Sequence, residues 1–440
     1  MTISKEELKK RACEAIDKNR DKIIELGESI LTEPELGYKE FKTADKIKRV
    51  FDELGYEYRD GIAITGVIAP LKGKSSKMRV AVMGELDSVV APGHRYADPK
   101  TGAAHSCGHN AMIASLAGVA YALKGTGIME ELDGDIALMA VPAEEYVEIE
   151  YRNKLREEGK IHFLGGKQEF IRLGEMDDID IMVMQHAYSN DNMENVKAVA
   201  QIDMNGFVGK LIRYIGKEAH AGAAPHLGIN ALNAATLGLQ AVAMLRETFQ
   251  EKDQIRVHPI ITKGGELVNV VPADVRLETF IRGNNLEAIM DANAKVTRAF
   301  KAGGDAIGAQ TIITDLPGYL PLETCEELRD IAYNNLIELL PKESVLKTAP
   351  RMTGSTDAGD LAHLIPCVHT YFLGAKGALH SEDFEIIDKE LSYITTAKTL
   401  VMTAIDLLYN NAELGHKVKE SFKPKMTKEE YLKEWGKIDI

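Results

Sequence analysis

The stretch MRVAVMGELDSV, residues 78–89, decides the fold. It is apolar without strict alternation and then turns abruptly acidic at Glu85 and Asp87. Three later runs share this form: DIALMAVPAEE (135–145), DIDIMVMQHA (178–187) and CVHTYFLGAKGALH (367–380). Short continuous apolar runs suit strands buried on both faces of a mostly parallel sheet, and the helical stretches between them make the class α/β. Glu85 with Asp87, Glu144 with Glu145, and His186 are each expected just past the carboxyl end of a strand, and His380 follows the fourth strand. In open α/β sheets that edge is where ligands bind, because the loops there converge above the strand ends. A fifth loop on the same edge, AAHSCGHNAM (103–112), carries His105, Cys107 and His109 ahead of the helical stretch MIASLAGVAYAL.

Composition narrows the function. At 440 residues, 45% hydrophobic and 27% charged, the chain is folded and long enough for two domains. The net charge of −14 disfavours nucleic acid and anionic membranes, leaving a small molecule as the expected partner. No run reads as a membrane span and the charged start lacks a signal-peptide core, so a cytoplasmic location is expected. Four scattered cysteines (Cys13, Cys107, Cys325, Cys367) make no disulfide framework.

From about residue 200 the texture changes to alternating strands (VGKLIRYIG, DVRLETFIRG) around two helical segments, 228–249 and 285–302. The expected organisation is a catalytic domain in two parts, 1–200 and 315–415, an inserted α+β domain over 201–314, and a charged extension over 416–440. In the segment TEPELGYKEFKTADKIKRVFDELGY (32–56), Pro34 and Gly37 punctuate and Thr43 is the expected helix cap. Singly, each polar residue has an ordinary reading: a lone cysteine is commonly a small buried hydrophobe, and adjacent acids are commonly solvated. Their convergence on one edge favours a metal site. Cys107 and His109, two apart on an extended segment, would face the same way and chelate together.

The motifs EPELGYKEFKTA, GELDSV, HSCGHNAM, VPAEE, QHA, GKEAHAGAAPHLGINAL, VNVVPADVRLE and GALHSEDF, in this order, resemble those of the di-metal aminoacylase and carboxypeptidase family, in its amidohydrolase branch. GELDS, CGHN and TGSTDAGDLAHLIP (353–366) are most similar to the p-aminobenzoyl-glutamate and dipeptide hydrolases of that branch. The resemblance implies a mostly parallel-sheet metallo-hydrolase domain with an inserted dimerisation (lid) domain, acting as a homodimer. It implies two divalent metal ions, zinc or manganese, held by Cys107, His109, Glu145, His186 and His380. It further implies Glu144 as general base, Asp87 orienting the site from behind the ligands, His220 as oxyanion donor reaching a neighbouring subunit, and Asn269 and Arg282 holding substrate carbonyl or carboxylate groups. The expected activity is hydrolysis of the amide bond of an N-acyl amino acid or dipeptide-like compound with a free carboxylate. A metal- or ligand-binding regulator on the same fold is the alternative.

The chain departs from that family in three places. Glu85 stands where the wider family has a histidine ligand. The link SVVAPGHRYADPKTGAA (88–104) is long, and so is the charged segment YVEIEYRNKLREEGKIHFLGGKQEF (146–170). Both long segments are expected to touch substrate choice more than chemistry.

Overall fold

The computed structural model describes residues 3–189, 193 and 195–437. The chain divides into two compact units, the first built from residues 1–203, 323–350 and 360–428 and the second from 204–322, 351–359 and 429–440.

The first unit opens with helices α1 (Lys5–Lys18), α2 (Arg20–Leu31) and α3 (Phe41–Leu54) and continues through strands β1 (Arg59–Ile62), β2 (Gly66–Leu71) and β3 (Arg79–Glu85). Helix α4 (His109–Leu123), β4 (Asp135–Val141), helices α5 (Ile149–Glu157) and α6 (Gly166–Leu173), β5 (Ile181–Ala187) and β6 (Ala198–Gln201) follow. After the second unit come α9 (Glu326–Leu339), β12 (Val345–Thr348), β13 (Cys367–Phe372) and α10 (Thr396–Ser421). The eight strands form one sheet in the order β1-β2-β4-β3-β5-β13-β6-β12. The four runs singled out by sequence are its centre. β4, β3, β5 and β13 pair in parallel, and β4, β5 and β13 are buried along their whole length. The antiparallel pairs lie outside that centre, at β1-β2, β2-β4 and β13-β6.

All fifteen residues of α4 are buried. It is alanine-rich because its neighbours come close: a Cβ on Gly118 would sit 2.6 Å from that of Ala397 on α10. Among the described residues, Glu390–Ser421 is the one helix long and apolar enough to cross a membrane, yet 89% of its apolar window is buried inside the protein, which makes it a core helix. That helix is interrupted where Asn410, Asn411 and Ala412 take positive φ. The first helix is tied to it, Lys9 Nζ lying 2.8 Å from Asp406. At α3 the expected cap differs. Thr43 lies inside the helix, and the Glu35 carboxylate accepts from the Lys42 and Thr43 N–H groups at 3.2 and 2.9 Å. A carboxylate satisfies the orphan donors of a first turn as well as a hydroxyl does, and it also favours the positive end of the helix dipole.

The second unit has strands β7 (Gly206–Ile215), β8 (Arg256–Val257), β9 (Ile260–Lys263), β10 (Asp274–Gly283) and β11 (Gln310–Leu316), with helices α7 (Ala231–Met244) and α8 (Leu286–Ile307). The order is β8-β10-β7-β11 with β9 also on β10, all antiparallel. Strand β10 alternates buried with half-buried residues, as a sheet covered by helices on one face requires. Its apolar side packs with α7 and α8 into a separate core. Asn230 and Asn285 cap the two helices by accepting from backbone N–H groups of the first turn. Of the last residues, Tyr431 and Trp435 are buried.

Candidate metal centre

Glu85 and His186 are the last and next-to-last residues of their strands rather than loop residues; Asp87 and the Glu144–Glu145 pair lie just beyond β3 and β4. Helix α4 begins at His109 itself, because Gly108 takes a left-handed φ of 86° and turns the chain sharply. The Cys107–His109 segment is therefore not extended. The two side chains still converge, since the glycine turn swings the first helical residue back toward the cysteine.

Three sets of donor atoms lie within 4.8 Å of one another: Cys107, His109 and His186; Cys107, Glu145 and His380; and Glu85, His109 and Glu144. Cys107 Sγ is 3.4 Å from His186 Nε2, and His380 Nε2 is 3.0 Å from Glu145 Oε1. His109 Nε2 stands 3.1 Å from Glu85 Oε2 and 4.0 Å from Glu144 Oε2. Asp87, fully buried, ties the loops together. Its Oδ1 and its carbonyl face His109 Nδ1 at 3.2 and 3.0 Å, and its Oδ2 accepts from Glu145 N–H at 2.9 Å. A carboxylate on Nδ1 fixes the tautomer and leaves Nε2 as the ligating nitrogen.

The electrostatics suit a cation. Burial pushes the Cys107 thiol up, but the imidazoles of His186, His109 and His380 outweigh it and bring the group down to about 6. Burial likewise opposes ionisation of Glu145, and His380 and His109 overcome it, holding the carboxyl at about 2. Buried Glu85 Oε2, His109 Nε2 and Glu145 Oε1 face one another or His380 only as close ion pairs, at 3.1 and 3.0 Å, without a well-formed hydrogen bond. Buried donors of this kind, a thiol, imidazoles and carboxylates within reach of one another, fit a divalent metal ion.

His105 belongs to none of these sets. It is buried, neither ring nitrogen has a partner, and burial drives it down to about 3, so it is neutral. His220, Asn269 and Arg282 belong to the second unit. There the Ala221 N–H donates to the Asn269 carbonyl at 2.9 Å, which sets His220 and Asn269 side by side. Exposed His220 accepts from the Gly222 and Ala223 N–H groups through Nδ1, so its proton sits on Nε2. Arg282 lies over the Phe207 and Phe280 rings and donates to Ser355 Oγ at 2.8 Å.

Sequence reasoning missed three buried groups. Lys167, from the long charged segment, is fully buried and ion-paired with Glu85, which Lys167 and His109 hold at about 2 against the effect of burial. That segment thus reaches the chemistry, contrary to expectation. His369 and Tyr371 pack against His186, the first edge-on and the second tilted, with ring centroids 5.7 and 6.2 Å away. A histidine and a tyrosine two apart in a buried strand were the available signal, since they share a face. The long 88–104 link braces the His380 loop: His94 Nε2 meets the Phe384 carbonyl at 3.1 Å and Arg95 pairs with Glu385.

Fold and site together are those of a metal-dependent amide hydrolase. Residues 81–406 match the profile of peptidase family M20/M25/M40, and the chain belongs to that family. It is 29% identical to the Xaa-Arg dipeptidase of Mus musculus over 97% of this chain and 94% of that one. It is 26% identical to one of the polypeptides of p-aminobenzoyl-glutamate hydrolase from Escherichia coli, over 71% of this chain and 62% of that one. A dinuclear metal binding peptidase of the M20 family from Bacillus subtilis shares the fold, with a TM-score of 0.64, 20% identity and coverage of 89% and 99%.

Proposed function

We propose that this protein hydrolyses the amide bond of a dipeptide-like or N-acyl amino acid substrate carrying a free carboxylate, using two divalent ions. The observation that carries the reading is the position of Cys107 in two donor sets, one with His109 and His186 and one with Glu145 and His380. Those sets are the residues we assign to the two ions. When bound, such ions acidify a water and polarise a carbonyl. Glu144, 4.0 Å from His109 Nε2, adjacent in sequence to Glu145 and a member of neither Cys107-containing set, accepts the water proton and passes it to the leaving amine. The His220 Nε2–H donates to the developing oxyanion, and the Arg282 fork holds the substrate carboxylate. Asn269 holds a substrate carbonyl. A metal-binding regulator would need no base beside its ligands, and Glu144 weighs against it. We place the enzyme in the cytoplasm, where reducing conditions keep Cys107 a thiol.

The mammalian dipeptidase relative and the bacterial aminobenzoyl-glutamate hydrolase relative set the first substrates to try. Xaa-Arg dipeptides, aminobenzoyl-glutamate, hippurate and β-alanyl dipeptides are assayed with Zn²⁺ or Mn²⁺, before and after chelation. Turnover of at least one, lost on chelation and restored by metal, is the expected result. No turnover of any acyl-amino acid by metal-loaded protein would reject the reading.

The exposed Ile260 and Ile261 of strand β9, with Leu267 and Val268, give the second unit an apolar surface suited to a second copy of the chain. In a twofold dimer the oxyanion donor is expected to come from the partner. Glu144→Gln and His220→Ala homodimers are then both nearly inactive. A heterodimer of the two, isolated through two different tags, regains up to about half the wild-type rate, because one site in two is intact. A heterodimer as inactive as its parents rejects the exchange.

A further inference from the structure

The EPELGYKEF segment carries no ligand, yet it wraps the residue that precedes the Glu144–Glu145 pair. Ala143 has φ of 55°, a left-handed conformation that alanine avoids. Its N–H donates to Glu40 Oε1 at 2.8 Å, and its carbonyl accepts from Arg152 Nη1 at 3.4 Å and from Gly166 N–H at 3.3 Å. Both gripping side chains are fully buried. Glu40 Oε2 is occupied by the Thr65 hydroxyl at 2.7 Å, and Arg152 Nη1 also donates to the Leu164 carbonyl at 2.9 Å. The same turn fits closely at Gly37, where a Cβ would run into the Arg152 guanidinium and lie 2.9 Å from Ala143 Cα. It is anchored in turn to the loop after β3, where Ser88 N–H and Oγ both donate to the Glu35 carbonyl at 2.9 Å.

We propose that Glu40 and Arg152 are positioning residues that hold Ala143 in its left-handed conformation and so aim the Glu144 carboxylate. The proposal rests on the reading of Glu144 as the base. On the far side of Glu144, the Glu145 N–H is held by Asp87 Oδ2, so the base sits between two fixed points. Without the grip, Ala143 relaxes toward negative φ and the peptide preceding Glu144 rotates. The carboxylate then leaves the geometry from which it takes a proton. Burial and the nearby Asp87 carboxylate push the Glu40 carboxyl up to about 7, and glutamine is a near-isostere of its neutral form. A Gln Oε1 would keep the Ala143 bond while its amide donates to Thr65 Oγ1.

The test uses the full-length, metal-loaded enzyme and its best substrate from the panel above. Glu40→Gln is expected to keep kcat within about threefold of wild type. Glu40→Leu is expected to lower kcat by roughly 10- to 100-fold, the effect of a misplaced group, with KM and bound metal unchanged. Arg152→Lys keeps a charge but loses the fork, and is expected to lower kcat about tenfold with the same unchanged KM and metal. It carries the test by itself if Glu40→Leu does not fold. A wild-type kcat in Glu40→Leu or Arg152→Lys overturns the proposal. So does an equal loss in Glu40→Gln and Glu40→Leu, or a loss confined to KM or metal content. Glu144→Gln run alongside separates the two readings: if it is inactive while Glu40→Leu is fully active, the positioning role is wrong and the base stands. If Glu144→Gln is active, the base assignment itself fails.

Discussion

Replacing Glu144 by glutamine is expected to lower turnover by roughly 10²- to 10⁴-fold while leaving bound metal and substrate affinity near wild type. The shape of the side chain is kept, and neither Cys107-containing donor set includes Glu144, so the two sets assigned to the ions keep all their ligands. What is lost is an oxygen able to take a proton. Metal analysis of the purified variant, calorimetric binding of a slow substrate and steady-state kinetics together separate this outcome from general damage. Its neighbour should behave in the opposite way. Glu145 faces His380 at 3.0 Å and shares a donor set with it, so Glu145→Gln is expected to lose metal first and activity as a consequence. Full activity in Glu144→Gln, or full metal in Glu145→Gln, would reject the division of labour.

The second large effect is expected at Cys107. Because its sulfur belongs to two donor sets, Cys107→Ala should lower the content of both ions, whereas a change at His186 or His380 strikes one set each. The local field points the same way: three imidazoles crowd the sulfur, and removing its negative charge takes away the counter-charge they share. His105→Ala, two residues away, should leave metal content nearly unchanged, since that ring is neutral and outside all three sets. Equal metal in wild type and Cys107→Ala would sink the assignment.

Much of this was readable from residues 78–89 and their three counterparts. A strand buried on both faces has little place for a charge, so in three of the four runs the point where the run becomes acidic or gains a histidine marks the sheet edge; His369, inside the fourth, does not. The structure puts Glu85, Asp87, Glu144, Glu145 and His186 at that edge. Illegible were the groups whose partners come from far along the chain. Lys167, Arg152 and Glu40 look like solvated charges in sequence, and each is fully buried because it meets, respectively, Glu85, the Ala143 carbonyl and the Ala143 N–H. Composition cannot distinguish a charge that faces water from one that replaces water with a buried partner. The cap of α3 failed for a related reason: a local rule favoured Thr43, and a carboxylate seven residues before Lys42 took the role.

The order of strands in the large sheet has a consequence for how the protein is made. β13 lies between β5 and β6, although the ribosome delivers those two strands more than 160 residues before it. Until residues 367–372 emerge, β5 has an open edge and the long core helix that covers α4 does not yet exist. The nascent first unit therefore waits as an incomplete, sticky intermediate through the synthesis of the sheet and helices of the second unit, whose core, from Ile212 to Ala309, is complete in the meantime. His380 is among the last donors to leave the exit tunnel. Metal capture by the full donor set is thus a late event in the life of the chain, possible only after the sheet has closed around its final central strand.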